Sequence, residues 1–314
     1  MEPANLALGT MFFGTRVDER TSFDLLDRFV AAGGRVIDTA NAYSFWTDPS
    51  GLGGQSEALI GRWLARRPGV RDDLVISTKV GAAPTVAGEW PASAEGLSAP
   101  AIKAAAEASL TRLGTDRIDL YWTHMQDMKV PLEETVGALA GLVADGTVGR
   151  LGCSNHPVWR VERARQIAWA NGWASYGAIQ LRHSYVQPRP GAWATVDASH
   201  RFVTEDVLDY VRGEDELSLW AYTALINGAY TRSDRPLPEG YDHPGTTRRL
   251  AVLAEVADEL GVSRNQVVLA WLAGGDPPIT PIVGVSTPAQ LDEAAAGFAL
   301  TLTPEQRQRL DAAV

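Results

Sequence analysis

Short apolar runs alternate with longer segments of helical period along the whole chain. The short runs are rich in β-branched residues, which are typical of buried strands. They lie at residues 6–10, 35–39, 73–80, 117–123, 148–153, 177–181, 217–223 and 279–285. The longer segments repeat apolar residues every three or four positions, which predicts helices that pack on a sheet. They lie at residues 21–32, 54–64, 99–113, 132–144, 161–171, 202–212, 246–260, 263–273, 288–296 and 304–312.

Strands that alternate with helices indicate βα units and a parallel sheet. Eight such strands in 314 residues predict an α/β fold, a single (β/α)₈ TIM barrel domain over residues 1–314. Length alone also fits two modest domains, and a doubly wound sheet is the competing fold. That fold carries a Gly-x-Gly-x-x-Gly fingerprint that opens a helix after its first strand. Gly9 and Gly14 are too far apart for this fingerprint, and no helix is predicted to begin there.

Small polar residues and prolines mark the predicted helix starts and the loops. Ser56 and Ser263 are the expected N-caps of two helices, and Pro157 lies near the first turn of another. Segments 82–98, 182–201 and 227–245 are rich in Pro and other loop-forming residues. Loops of this length in a compact domain are typical of functional lids or disordered patches.

Composition narrows the function classes. The chain is 45% hydrophobic and 21% charged, as in an ordinary soluble globular protein. Its net charge of −10, with no basic cluster, argues against a nucleic acid or an anionic membrane as partner. The only cysteine, Cys153, can form no intramolecular disulfide, which suits a reducing compartment. With no signal peptide and no apolar run of about 20 residues, we expect a cytoplasmic protein. The sequence carries no signal for an oligomeric state.

Four polar residues lie at the carboxyl ends of predicted strands, where the active site of such a barrel is found. Asp38 and Lys79 end the second and third strands, His124 follows the fourth, and Tyr43 lies in the loop after Asp38. A carboxylate at the end of a buried strand needs a partner, because an isolated buried charge costs several kcal/mol. Lys79 is the predicted partner.

Each of these residues also has an ordinary structural interpretation. Asp38 could cap a helix, Tyr43 could be half-buried packing, Lys79 a solvated strand-end lysine and His124 a core histidine. Taken one at a time, these interpretations are favoured. Four such residues at matched strand ends favour a functional site instead.

Several segments resemble the aldo-keto reductase superfamily, and the resemblance spans nearly the whole chain. They are residues 37–43 (Ile-Asp-Thr-Ala-Asn-Ala-Tyr), 54–61 (Gly-Gln-Ser-Glu-Ala-Leu-Ile-Gly), 77–79, 113–124, 152–155, 179–180, 221–225 and 284–291. The resemblance implies a barrel that binds a nicotinamide cofactor without a Rossmann domain.

The chemistry of the four groups agrees with that resemblance. Hydride delivered to a carbonyl carbon builds negative charge on the oxygen, which must be stabilised and protonated. Tyr43 is the predicted proton donor, and the ammonium of Lys79 would lower its pKa from about 10. Asp38 would keep Lys79 charged and in place. His124 would orient the carbonyl oxygen through a neutral N–H and share in the proton transfer.

The resemblance also implies cofactor contacts. Ser154, Asn155 and Gln180 would hold the nicotinamide carboxamide, and Tyr222 would stack on the nicotinamide ring. The pyrophosphate would lie along Thr223, Ala224 and Leu225, and the adenosine end would be held by Gly284, Ser286, Thr287, Gln290 and Glu293.

Here the chain departs from many relatives, which carry Lys or Arg around positions 284, 287 and 290 for the 2′-phosphate of NADP. Ser286, Thr287 and Gln290 could still bond a phosphate, and Arg248 and Arg249 could reach in from the preceding loop. We therefore expect NADPH and leave NADH open.

The sequence indicates the substrate less clearly than it indicates the cofactor. The three loops should rim the mouth of the site and supply aromatic walls suited to sugars, steroids or aromatic aldehydes. The candidate wall residues are Trp46, Trp90, Trp193, Tyr230, Tyr241 and His183. The histidines show no metal-ligand spacing.

We expect an NAD(P)H-dependent reductase of a small sugar-like or aromatic carbonyl compound. One alternative is a cofactor-binding regulatory or interaction subunit with little turnover, since some similar barrels are partners of membrane proteins. Another is an isomerase or aldolase that forms a Schiff base on Lys79. The last would need Lys79 unpaired, in conflict with Asp38.

Overall fold

The computed structural model describes residues 5–192 and 200–313 and contains a closed barrel of eight parallel strands in sequence order. The predicted (β/α)₈ barrel is confirmed. The strands are β1 (Ala7–Gly9), β2 (Val36–Asp38), β3 (Val75–Val80), β4 (Ile118–Thr123), β5 (Val148–Ser154), β6 (Tyr176–Arg182), β7 (Ser218–Tyr222) and β8 (Ile279–Gly284).

Helices follow the strands as the hydrophobic period predicted. They are α1 (Glu19–Ala31), α2 (Gln55–Ala65), α3 (Ala99–Leu113), α4 (Leu132–Ala144), α5 (Val158–Ala170), α6 (Glu205–Arg212), α7 (Pro244–Leu260), α8 (Arg264–Ala273), α9 (Pro288–Ala299) and α10 (Pro304–Ala312). Among these described helices, none combines the length and the apolar character needed to cross a membrane. The bounds differ from prediction mainly at the starts of α5 and α6, where Pro157 and Thr204 are the N-caps.

The chain divides into two compact units. The first unit, residues 7–179 and 284–287, contains β1 to β5 paired side by side, with Asp38 in register with Ser77 and Lys79 in register with Trp122. The second unit includes residues 180–283, and in it Leu219 of β7 pairs with Ile279 of β8. That residues 1–314 form one domain stays a prediction.

Strand β3 shows how the alternation of side chains prepares the site. Successive residues of a strand point to opposite faces. Ser77 and Lys79 bond the carboxylate of Asp38 on one face, each at 2.6 Å. Thr78, between them, donates a hydrogen bond to Glu57 of α2 on the other face. Strand β3 therefore bonds Asp38 of β2 through one face and Glu57 of α2 through the other.

The start of α2 differs from prediction. The N-cap is Gly54, whose φ of 108° is a left-handed conformation that favours glycine, so the prediction of Ser56 as the cap is wrong. Ser56 lies inside the helix and is fully buried. Its hydroxyl donates to the carbonyl of Thr10 at 2.8 Å and shares a hydrogen bond with the Thr39 hydroxyl at 2.7 Å. The prediction of Ser263 as the cap of α8 is confirmed, and Gln266 completes a capping box.

Gly61 brings α2 close to α3. A Cβ added at Gly61 would lie 2.1 Å from the backbone oxygen of Arg112, so a side chain there forces two helices apart. We expect Gly61→Ala to destabilise the fold by about 1–3 kcal/mol, as overpacking does. Gly141→Ala, inside the exposed face of α4 with nothing within 4 Å, is the matched control and should stabilise by about 0.5–1 kcal/mol. Urea unfolding of both variants would measure this, and equal midpoints would contradict the packing argument.

Candidate active site

The centre of the candidate site is a buried ion pair at the carboxyl ends of β2 and β3. The Nζ atom of Lys79 lies 2.6 Å from Oδ2 of Asp38, and both side chains are 0% exposed. The hydroxyl of Ser77 donates to the second oxygen, Oδ1, at 2.6 Å. Neighbouring strands therefore supply the partner that the sequence required for Asp38.

The ammonium of Lys79 has three acceptors for its three protons. Besides Asp38, Nζ donates to the carbonyl of Thr39 at 2.7 Å and to the hydroxyl of Tyr43 at 2.8 Å. Burial lowers the pKa of Lys79, and the charge of Asp38 with its hydrogen bond opposes that shift. With each proton bonded, the amine presents no lone pair to a carbonyl carbon, which argues against a Schiff base on Lys79.

Tyr43 joins this pair from the loop after β2. Its hydroxyl also bonds Oδ2 of Asp38 at 3.1 Å, and Lys79 Nζ lies 4.6 Å from the centre of its ring. The next residue, Ser44, has a φ of 63°, which is costly for a residue other than glycine. The Ser44 hydroxyl donates to the carbonyl of Met11 and accepts from Thr15, so the turn that aims Tyr43 is fixed from the loop after β1.

His124 lies beside Tyr43 at the end of β4. The two ring centres are 5.9 Å apart with the planes at 75°, an edge-on contact. The amide of Asn155, which has a left-handed φ of 59°, donates to the His124 carbonyl and to the Ser154 hydroxyl, both at 3.0 Å. The first unit therefore brings together all four predicted catalytic residues, with Ser154 and Asn155 next to them.

Two groups in this cluster were missed from the sequence: the hydroxyl of Ser77 and the carbonyl of Thr39. Ser77 could have been found, because it lies two residues before Lys79 and so shares its face of the strand. The bond from Lys79 to a backbone carbonyl has no sequence signal, since every residue carries one.

In the second unit, the predicted cofactor residues lie at the ends of β6 and β7. Gln180 is buried, whereas Tyr222 is half-buried and meets the ring of His200 edge-on, with ring centres 5.7 Å apart. Thr223 has a left-handed φ of 56°. The carbonyl of Ala224 accepts a hydrogen bond of 2.6 Å from Ser184, which holds the turn that Leu225 continues.

The residues predicted to bind the adenosine end of the cofactor belong to both units. In the first unit, Gly284, Ser286 and Thr287 are exposed just after β8. In the second, Glu293 accepts from Ser263 at 2.5 Å and from the amide of Asn265 at 3.2 Å. Gln290 lies near it on α9, one turn before.

Arg248 and Arg249 lie within α7, so the expectation that they reach in from a loop is wrong. The guanidinium of Arg249 donates to the carbonyl of Tyr185 at 2.8 Å and packs over its ring.

The predicted substrate walls fall into two groups. Trp46 is 51% exposed and meets Phe45 edge-on, and Phe45 contacts Trp90, which is partly exposed. These three rings form an aromatic cluster, and two of them, Phe45 and Trp46, are close to Tyr43 in sequence.

Tyr230, Tyr241 and His183 are buried, so the prediction that they are wall residues is wrong. The Tyr230 hydroxyl bonds Ser184 and the amide of Val186, which explains its burial. Trp193 lies outside the described residues.

The aldo/keto reductase family model matches residues 5–314. Norsolorinic acid reductase stcV of Emericella nidulans is 34% identical over 315 residues, which cover 96% of this chain and 76% of that protein. Aryl-alcohol dehydrogenase GME11368 of Pestalotiopsis microspora is 28% identical over 98% of this chain and 77% of that protein. Among solved structures, the thermostable aldo-keto reductase Tm1743 with the inhibitor epalrestat covers 100% of this chain and 96% of its own, with a TM-score of 0.72 and 24% identity. The chain therefore belongs to the aldo/keto reductase family, and it is an NAD(P)H-dependent oxidoreductase.

Proposed function

We propose that this protein reduces the carbonyl group of a small aldehyde or ketone with NADPH, and that Tyr43 donates the proton. The observation that carries the proposal is the position of the Tyr43 hydroxyl, 2.8 Å from Lys79 Nζ and 3.1 Å from Asp38. The buried ammonium of Lys79 would stabilise the phenolate that remains after Tyr43 donates its proton.

The side chains divide the work. Bound nicotinamide supplies the hydride that adds to the carbonyl carbon. Tyr43 gives its proton to the carbonyl oxygen as negative charge develops there. Lys79 stabilises the phenolate oxygen, and Asp38 holds Lys79 in place. His124, edge-on to the Tyr43 ring, orients the carbonyl oxygen by hydrogen bonding.

The residues available fit a dinucleotide. We propose that Ser154, Asn155 and Gln180 hold the nicotinamide carboxamide and that Tyr222, which is half-buried, presents its ring to the nicotinamide. Backbone in left-handed conformations, as at Thr223, is typical of concave anion sites, which supports a pyrophosphate site along Thr223, Ala224 and Leu225.

The adenosine end is proposed to be held by Gly284, Ser286, Thr287, Gln290 and Glu293. The exposed hydroxyls of Ser286 and Thr287 can donate to a 2′-phosphate, although no basic residue stands between positions 284 and 290. We therefore propose NADPH because the family generally uses it. Hydrogen bonds to the 2′-phosphate would replace the ion pairs that other members make with it. If the 2′-phosphate is held without a cation, we expect this protein to prefer NADPH over NADH less strongly than the members that bind the phosphate through ion pairs.

For the substrate we favour an aromatic carbonyl compound over a sugar-like one. The cluster of Phe45, Trp46 and Trp90 offers a large apolar surface, and Trp46 leaves half of its own exposed. Apolar aromatic walls suit stacking of a planar ring. The names of the relatives, a norsolorinic acid reductase and an aryl-alcohol dehydrogenase, support the same class.

The test is the loss of reduced-nicotinamide absorbance with a panel of carbonyl substrates. The panel pairs aromatic aldehydes and ketones with sugar aldehydes, each with NADPH and with NADH. We expect turnover with NADPH and a higher kcat/KM for the aromatic members. Absence of turnover across the panel, with tight cofactor binding by tryptophan quenching, would instead favour a binding subunit.

A further inference from the structure

The loop between β3 and α3 places one carboxylate oxygen, Oε1 of Glu95, within hydrogen-bond distance of the segments that follow β2 and β3. Oε1 of Glu95 accepts a hydrogen bond of 2.8 Å from the amide of Asn41 and one of 2.7 Å from the backbone N–H of Gly81. It also accepts a longer one, of 3.4 Å, from the N–H of Ala83. Three donors from two different strand ends therefore converge on a single oxygen atom.

The two closer donors belong to the segments that carry the proton donor and its ammonium. Asn41 lies two residues before Tyr43, and Gly81 lies two residues after Lys79. The distance of 2.8 Å between the Tyr43 hydroxyl and Lys79 Nζ depends on how these two segments are placed. Glu95 connects the two segments through its hydrogen bonds to Asn41 and Gly81.

The environment of Glu95 favours its neutral form. Burial raises the pKa of Glu95 above its usual value, although the hydrogen bonds from Asn41 and Gly81 oppose the shift. A carboxyl whose folded pKa is raised stabilises the fold fully below its unfolded pKa and loses that contribution as pH rises through the folded pKa. Above the folded pKa the ionised carboxylate no longer contributes that stability, so stability alone gives no reason for a charge here.

Protons can reach the carboxyl group. Glu95 and Asn41 line a cavity of about 470 Å³, together with Arg112 and a row of alanines on α3. The group can therefore titrate in the folded protein.

We propose that Glu95 is a positioning residue for the carbonyl reduction: its ionised carboxylate holds Asn41 and Gly81 so that Tyr43 stays in hydrogen-bond contact with Lys79. The proposal rests on the proposed function. An ionised acceptor makes stronger hydrogen bonds than a neutral one, so protonation of Glu95 loosens both segments.

Other titratable groups lie around Glu95 and bear on its pH dependence. Glu57 on α2 raises the pKa of Glu95, and Glu57 is itself bonded to Arg112 of α3 at 2.7 Å. Burial raises the pKa of Tyr121 on β4 well above its usual value, and the negative charge of Glu95 raises it further. Tyr121 therefore stays neutral. Asp127, after β4, accepts from the N–H of Leu97 at 3.0 Å.

The experiment compares Glu95→Gln and Glu95→Ala with the parent. Gln keeps the shape and the acceptor Oε1 but removes the charge. The matched control is Glu89→Gln, an exposed position in the same loop. At pH 7 we expect kcat of Glu95→Gln to fall about tenfold, as for a misplaced catalytic group, with KM and cofactor affinity unchanged. The kcat of Glu95→Ala should fall further, and the kcat of Glu89→Gln should equal that of the parent.

The pH profile separates positioning from a merely structural role. The parent should lose kcat as pH falls through the pKa of Glu95, and the profile of Glu95→Gln should lack that step. Thermal unfolding of Glu95→Gln at pH 7 should occur at a temperature no lower than that of the parent. Hydrogen exchange at the Gly81 amide should be faster in both Glu95 variants, whether or not a substrate is turned over.

Glu95→Gln with the parent kcat and the parent pH profile, in a protein that Tyr43→Phe inactivates, would overturn this inference and leave the proposed function intact. Parent-like turnover in Tyr43→Phe as well would overturn the proposed function itself. A fall in kcat that follows only a lower unfolding temperature would reduce Glu95 to a structural residue.

Discussion

Tyr43→Phe is expected to lower kcat by a factor of about 10²–10⁴, because general acid catalysis by one positioned group contributes that much. The substitution removes only the hydroxyl that bonds Lys79 and Asp38 and leaves the ring against His124. Cofactor affinity, followed by quenching of tryptophan fluorescence, should stay as in the parent. Stopped-flow absorbance with a carbonyl substrate that the parent reduces would measure the loss.

Tyr121→Phe is the matched control for this substitution. Tyr121 is fully buried, and its hydroxyl has no hydrogen-bond partner among residues 5–192 and 200–313. Removing that hydroxyl therefore leaves no donor or acceptor unpaired, and activity should match the parent. A Tyr43→Phe variant as active as Tyr121→Phe would rule out Tyr43 as the proton donor.

Lys79→Met is expected to abolish turnover and to destabilise the fold by about 3–5 kcal/mol, since it leaves the buried charge of Asp38 without its cation. Methionine has a similar length, so the loss reflects charge and not volume. The Asp38→Asn/Lys79→Met double variant should recover most of the stability, because neither charge remains in the interior. It should stay inactive, because the phenolate of Tyr43 has no ammonium beside it.

Urea unfolding of the parent, the single variant and the double variant gives the comparison. Equal stability of Lys79→Met and the double variant would show that Asp38 is not held as a charge by Lys79. Activity in the double variant would show that the ammonium is dispensable to the reaction.

The sequence predicted that the four candidate catalytic side chains lie together, because strand geometry is regular, whereas their catalytic roles stay a prediction. Strand ends of a parallel barrel meet at one rim, so Asp38, Lys79 and His124 could be placed together from their positions alone. The same regularity should have revealed Ser77, two residues before Lys79 on the same face of β3.

Other features have no regular signal. Tyr230 and Tyr241 lie in a segment that is rich in proline, as surface loops are, yet both are buried by tertiary packing that a local pattern does not contain. Ser56 resembled an N-cap because serine favours that position, but the left-handed Gly54 before it begins the helix. Glu95 and Asn41 are 54 residues apart, and only the folded chain brings them within 2.8 Å.

The predicted cofactor residues were found neither from strand geometry nor from the folded chain. Their positions came from resemblance to a family, and the family is now shown by the match over residues 5–314. What each of them contacts in a bound dinucleotide remains part of the proposal. At positions 284, 287 and 290 this chain departs from the expected pattern, because a 2′-phosphate is usually met by a cation.

The complete burial of Lys79 has a practical consequence for attaching this enzyme to a solid support. The other lysines of the chain, Lys103 and Lys129, are both exposed. Amine-coupling resins acylate accessible uncharged amines, and the Lys79 ammonium is enclosed with its three protons bonded. Linkage through the surface amines of Lys103 and Lys129 therefore leaves Lys79 and its partners unmodified.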